Sequence, residues 1–98
     1  MNIEQKSVNG EGSFYIRDGE KVLAEMTYVV RPANALMIIK HTDVDEVLKG
    51  QKIGYQLLDK AVEYARGESL KIQPLCSFAN AVMHKNLDKY GDLLGTGK

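Results

Sequence analysis

Residues 36–67 read LMIIKHTDVDEVLKGQKIGYQLLDKAVEYARG. The hydrophobic period of this stretch changes once. Leu36-Met37-Ile38-Ile39 is a continuous apolar run, which predicts a buried strand leading into Lys40-His41-Thr42-Asp43-Val44. From Ile53 onward the apolar positions are Ile53, Leu57, Leu58, Ala61, Val62 and Ala65, at helical spacing. Gln56, Asp59, Lys60, Glu63 and Arg66 fall on the other face, and Gly67 is a natural helix stop. Between strand and helix lies Lys49-Gly50-Gln51-Lys52-Ile53-Gly54-Tyr55, a turn with two glycines and two lysines.

Upstream of this stretch the period is that of strands. Ile3 to Val8 is a weakly patterned strand, and Ser13 to Arg17 a stronger one. Asp18-Gly19 suits a two-residue hairpin turn, where positive φ is needed. Glu20 to Arg31 alternates Val22, Ala24, Met26, Tyr28 and Val30 with Leu23, Glu25, Thr27 and Val29. Both of its faces are apolar by Val29-Val30, which places that end toward the sheet centre. Downstream, Leu70 to Leu75 reads as a strand ended by Pro74. Phe78 to about Leu87 reads as a second helix with Ser77 as its N-cap. The tail from Gly91 to Lys98 holds three glycines and is expected to fray beyond Leu94. The predicted order is β-β-β-β-α-β-α. This is a mixed α/β (α+β) sheet with antiparallel N-terminal strands, a β-α-β crossover making a parallel pair, and a C-terminal helix. Residues 1–98 are expected to form one domain.

Composition bounds the function. The chain has 98 residues, 44% of them hydrophobic, with 13 basic and 13 acidic side chains. Disorder and a disulfide scaffold are excluded, the latter by a single cysteine. Zero net charge gives no global attraction to nucleic acid or to an anionic membrane, and neither is expected as a partner. The charge is divided: residues 1–48 carry five basic and eight acidic side chains, and residues 49–98 the reverse. A lone thiol, no basic-then-apolar leader at Met1-Asn2-Ile3-Glu4-Gln5-Lys6, and no apolar run near the length of about 20 residues needed to span a bilayer make cytoplasm the expected compartment. No metal-ligand set is read.

The glycine turn can carry chemistry. The first N–H groups of a helix lack intrahelical partners, and with the helix dipole they attract anions. Gly50 and Gly54 would let a phosphate approach the main chain, and Lys49 and Lys52 add positive charge. Ordinary turn chemistry accounts for the same residues. The segment is neither a P-loop, since no Gly-Lys-Ser/Thr follows, nor a dinucleotide fingerprint.

The segment resembles the acetyl-coenzyme A signature of GNAT-type N-acetyltransferases, Gln/Arg-x-x-Gly-x-Gly/Ala. Lys49 takes the Gln/Arg position, Gly54 the final small position, and Lys52 stands where the middle glycine is usual. The resemblance extends to His41-Thr42-Asp43-Val44, Leu48-Lys49-Gly50, Pro74-Leu75-Cys76-Ser77-Phe78 and Tyr90-Gly91-Asp92-Leu93-Leu94. These are similar, in the same order, to segments of a subgroup of very small standalone GNAT-like proteins.

The resemblance implies an acetyl-coenzyme A-dependent acyltransferase acting on an amine, either a small molecule or a protein lysine. His41 to Val44 (Thr42, Asp43 and Val44 in particular) would hold the pantetheine arm through the backbone. Lys49, Gly50 and the amides of Gln51, Lys52, Ile53, Gly54 and Tyr55 would hold the pyrophosphate. Ser77, Asn80 and Lys85 are further candidate contacts. Cys76, at the start of a helix, is a candidate acyl-accepting nucleophile, a thioester-pocket wall or an inert buried thiol. His41 is the candidate general base or thiol partner. His84 is expected at the surface. The tyrosine that many members carry in the last helix is replaced here by Ala79-Asn80-Ala81-Val82-Met83-His84. Asp43, Asp45 and Glu46 near the thioester point to a cationic acceptor. The alternative readings are a catalytically weak coenzyme A-binding module and a protein-interaction domain.

Overall fold

Two tight hairpins begin the chain. In the computed structural model, which describes residues 2–95, β1 (Glu4–Val8) pairs antiparallel with β2 (Glu11–Asp18). The connecting residues, Asn9 and Gly10, both have positive φ, 53° and 83°. That is the two-residue geometry Asn-Gly favours, and it lengthens β2 to begin at Glu11 rather than Ser13. The second turn sits one residue later than expected. Asp18 pairs with Lys21, so Gly19 (φ 61°) and Glu20 form the loop into β3 (Lys21–Arg31).

After the 3-10 turn Pro32–Asn34 comes β4 (Leu36–Val44), antiparallel to β3. The 3-10 turn Glu46–Leu48 leads to α1 (Ile53–Gly67), which crosses over to β5 (Lys71–Pro74), parallel to β4. Then come α2 (Ser77–Lys85), the short α3 (Leu87–Tyr90) and a 3-10 turn, Gly91–Leu93. The sheet order is β1-β2-β3-β4-β5, so β3 is central as its two apolar faces suggested. Helix α3 was not legible. The second helix ends at Lys85, and Asn86 donates from its side chain to the Val82 carbonyl at 2.8 Å.

One cluster joins sheet and helices. Phe14, Met26, Tyr28 and Ile39 pack with Leu57, Leu58, Ala61 and Ala65 of α1 and with Ala79, Val82 and Met83 of α2. All six apolar positions read for α1 are buried, and each large one contributes about 1.5–3 kcal/mol. Phe14, Tyr28 and Tyr64 add an aromatic cluster with centroids 5.4–6.0 Å apart. Burial raises the Tyr64 hydroxyl pKa, with smaller contributions from Tyr28 and Glu68. The opposite sheet face carries Tyr15, Glu25, Thr27, His41 and Asp43, half-buried or exposed.

The tail does not fray immediately beyond Leu94. Leu94 bridges Ile72, and Gly95 N–H donates to the Ile72 carbonyl at 2.8 Å. Arg66 reinforces this by forking onto Asp92 at 2.7 and 3.3 Å, and Lys71 bonds the Asp92 carbonyl. The rest of the tail, Thr96 to Lys98, lies outside the described residues.

Candidate active site

The site begins where β4 and β5 part. Their parallel pairing runs only from Leu36 with Lys71 to Ile39 with Pro74. Pro74 has no N–H to continue the ladder. The next two donors, Leu75 and Cys76 N–H, both converge on the Ile39 carbonyl, at 2.9 and 3.2 Å. Strand β4 runs on to Val44, paired from there with β3 alone. Its edge facing away from β3 therefore presents main-chain groups to a cleft.

A bulge decides which side chains enter that cleft. Tyr28 pairs with Ile39 but Thr27 with His41, leaving Lys40 as the extra residue. The alternation of β4 shifts by one at that point. Thr42 opposite Met26, and Val44 opposite Ala24, fall on the helix-covered face. His41 opposite Thr27, and Asp43 opposite Glu25, fall on the other.

The far wall is the start of α1. After Leu48, which is buried, Lys49 makes an exposed ion pair with Glu46 at 3.7 Å. Gly50 has φ 85° with open space where a Cβ would point, so it serves the turn conformation. Lys52 is the α1 N-cap and is left-handed, at φ 57° and ψ 35°. Gln56 N–H makes the first intrahelical bond, to the Lys52 carbonyl. The N–H groups of Ile53, Gly54 and Tyr55 precede it and have no carbonyl one turn back. Gly54 has a packing role that the sequence did not show. Its missing Cβ makes room for the Phe78 ring, whose Cζ would lie 2.9 Å from it. Phe78 also packs edge-on against Tyr55, centroids 5.3 Å apart.

Together these elements enclose a cleft of about 350 Å³, lined by Thr42, Val44, Lys49, Gly50, Lys52, Ile53, Gly54 and Tyr55, and also by Leu48 and Phe78. Leu48 and Phe78 were not among the site residues read from sequence. The Pro-x-Cys-Ser-aromatic spacing held the signal for Phe78.

Cys76 lies behind this cleft, outside its lining and joined to it through Thr42. It is buried, 8% exposed, and its Sγ donates to Thr42 Oγ1 at 3.1 Å. It, not Ser77, is the N-cap of α2, with φ −64° and ψ 129°; Ser77 is the first helical residue, exposed and outside the cleft lining. The pairing of His41 with Cys76 is not found. The thiol's partner is Thr42, and His41 projects from the opposite sheet face because of the bulge at Lys40. Gln51 is exposed beside the cleft, its carbonyl accepting from Gln56 Nε2. Asn80 lines a separate groove with Pro74, Leu75, His84 and Leu94, and Lys85 lies beyond it at the end of α2. His84 is exposed, its Nδ1 bonded to the Asn80 carbonyl at 2.9 Å. A second cleft of about 360 Å³ adjoins the first through Val44 and is bordered by Glu25, Asp43 and Asp45.

Comparison with known proteins agrees with this geometry. The chain is similar to a GCN5-like protein from Staphylococcus aureus, whose solution structure superposes with a TM-score of 0.70. The two are 39% identical over 99% of this chain and 92% of that one. No curated protein matches significantly. The family model described as GCN5-related N-acetyltransferase matches residues 13–93, from within β2 to the last turn. Parted parallel strands, an exposed helix start after a glycine turn and this match together place the chain in the GCN5-related N-acetyltransferase family.

Proposed function

We propose that this protein transfers an acetyl group from acetyl-coenzyme A to an amine. The observation that carries the reading is a single cleft in which the unpaired end of β4 faces the exposed N-terminus of α1. The residues fit the coenzyme. Three N–H groups of α1 without helical acceptors, and Lys49 and Lys52 beside them, suit a pyrophosphate. The β4 edge from Lys40 to Val44 suits an amide-bearing arm, which would extend the sheet at that edge. Gly50 leaves open space on the approach.

When bound, acetyl-coenzyme A supplies an acyl group already activated as a thioester. The chain's own residues position and shield it. The α1 amides hold the diphosphate, the β4 main chain orients the arm, and Val44, Leu48 and Phe78 exclude water. Thr42 forms the inner wall and Cys76 backs it, with the thiol proton directed to Thr42 Oγ1. We assign Cys76 to the wall rather than to acyl transfer, because it is buried and already engaged. The acceptor enters from the cleft bordered by Glu25, Asp43 and Asp45, whose charge selects a cationic amine. His41 projects from the sheet face that carries Glu25 and Asp43, beside that cleft rather than in its lining, and is the residue assigned as base.

Isothermal titration calorimetry with acetyl-coenzyme A tests the reading, followed by thiol release in the presence of polyamines and lysine peptides. Binding with amine-dependent release is expected. No heat at millimolar coenzyme refutes it.

A further inference from the structure

We propose that Thr27, backed by Ser13, is a positioning residue for His41: the two hydroxyls hold the imidazole with Nδ1 protonated and leave Nε2 as the base atom. The inference deepens the assignment of His41 as base and rests on that reading.

Ser13, Thr27 and His41 stand in one row across the sheet. Ser13 of β2 pairs with Thr27 of β3, and Thr27 with His41 of β4. Their neighbours Phe14, Met26 and Tyr28 face the helices, so this row lies on the face the helices leave uncovered. Two of its members are anomalous. Among the described residues, Ser13 is the one polar side chain that is fully buried, at 1% exposed. Its Oγ and the Oγ1 of Thr27 are both shielded from solvent, and neither has a hydrogen-bond partner. Buried hydroxyls are ordinarily bonded, because taking one out of water without a partner is costly. Alanine at position 13 and valine at position 27 would fill nearly the same space without that cost. On the far side the row is closed: Lys6, opposite Ser13, reaches across β2 to Glu25 at 3.5 Å and lies 5.0 Å from the centre of the Tyr15 ring. On the near side the neighbour is His41, which is exposed and makes no hydrogen bond among the described residues.

Residues directly opposed on one sheet face have Cβ atoms about 4.5–5.5 Å apart, within reach of a bond from an imidazole to a hydroxyl. Rotation of the His41 ring brings Nδ1 to Thr27 Oγ1. Thr27 accepts from Nδ1–H and donates its own proton to Ser13 Oγ, so both orphan oxygens gain a partner. Ser13 sets the direction. Without its oxygen, the Thr27 hydroxyl would be free to donate to Nδ1 and place the ring proton on Nε2. The bond made by one ring nitrogen decides the state of the other, and here Nε2 keeps its lone pair.

The chain has two histidines, and His84 is an internal reference. Its Nδ1 faces the Asn80 carbonyl at 2.9 Å, a group that can only accept, so Nδ1 carries the proton when that ring is neutral. Long-range proton–nitrogen correlation NMR on the free protein, in mildly alkaline solution where imidazoles are neutral, reads both rings. In wild type, His41 should show the same Nδ1–H pattern as His84. Thr27→Val and Ser13→Ala should shift His41 toward Nε2–H and leave His84 unchanged, and Thr27→Ser should restore the wild-type pattern. Carbethoxylation of His41 by diethyl pyrocarbonate, followed by mass spectrometry, should slow several-fold in Thr27→Val. The melting temperature of Thr27→Val should not fall, because valine removes an unpaired buried hydroxyl. An Nε2–H pattern in wild type overturns the proposal. So does an Nδ1–H pattern that persists in Thr27→Val, which would assign the ring to Asp43 or Glu25 instead. A lower melting temperature in Thr27→Val overturns the argument that this hydroxyl is kept for the ring. If the tautomer responds as expected while His41→Gln leaves amine-dependent thiol release unchanged, the hydroxyl pair does hold the ring and the assignment of His41 as base is what fails.

Discussion

Two glycines at opposite ends of α1 should respond to alanine with opposite signs. A Cβ at Gly54 would lie 2.9, 3.1 and 3.4 Å from three atoms of the Phe78 ring. Ordinary contact needs about 3.5–4.0 Å, so the ring must retreat by roughly half an ångström. Phe78 cannot retreat without loss, since it holds Tyr55 edge-on at 82° and lines the cleft. Replacing glycine within a helix gains roughly 0.5–1 kcal/mol, and the second helical position realises the low end. Overpacking costs about 1–3 kcal/mol, and a partly exposed ring the lower half of that. Gly54→Ala should therefore destabilise by about 1 kcal/mol and lower Tm by about 4–8 °C. At Gly67 a Cβ meets nothing within 4 Å. Gly67→Ala should stabilise by about 0.4–1 kcal/mol, through the lost freedom of the unfolded chain. Urea unfolding followed by circular dichroism, with unchanged m-values, reads both. The coenzyme affinity of Gly54→Ala should drop as well, while that of Gly67→Ala should not. If Gly54→Ala gains stability as Gly67→Ala does, the Phe78 contact does not constrain this helix start and the packing account of the glycine is wrong.

Gly12→Ala should be costlier still. Its Cβ would lie 2.7 Å from Tyr28 Cζ and closer to the Lys6 carbonyl, so backbone must move; a loss of about 2–3 kcal/mol in urea unfolding is expected. Cys76→Ala should fold, bind coenzyme and keep amine-dependent thiol release, and intact-mass spectrometry of wild type after incubation with acetyl-coenzyme A should show no acetyl adduct on Cys76. Loss of turnover together with a wild-type adduct would make Cys76 a nucleophile. The last concerns pH. The hydrogen bond from Arg66 holds the Asp92 carboxyl below its ordinary pKa. Its contribution is then complete above that ordinary value and is lost as pH falls through the lowered one. Amide exchange at Leu94 and Gly95 should accelerate in that acid range, and Arg66→Gln should abolish the acid-dependent increment.

Much of the fold is legible because local signals and global packing agree. The apolar stripe from Ile53 to Ala65 is the buried face of α1. The continuous run Leu36 to Ile39 is the part of β4 flanked by strands on both sides. The hairpin read at Asp18-Gly19 is present one residue later, whereas the Asn9-Gly10 turn that sets the β1–β2 register was not read from the sequence. Helix α3 was hidden because Leu87–Tyr90 is a single turn whose periodicity cannot be distinguished from a loop. The C-terminal pairing was hidden because it depends on Arg66 and Lys71, residues distant in sequence from Asp92.

The site was legible along the chain but not across it. Reading β4 with strict alternation from buried Ile39 puts Lys40 outward and His41 inward, beside Cys76. The bulge at Lys40 moves every later side chain to the other face, so Thr42 and Val44 enter the cleft and His41 and Asp43 leave it. Nothing in Lys40-His41-Thr42 marks a bulge, because the extra residue is defined only against its partner strand, between Thr27 and Tyr28. One unpaired residue thus separates two chemistries. With a regular strand the imidazole and thiol would share a cleft and suit a nucleophilic mechanism. With the bulge, the thiol is left with a hydroxyl partner while the imidazole projects from the face that carries Glu25 and Asp43, so no imidazole–thiol pair forms in the cleft.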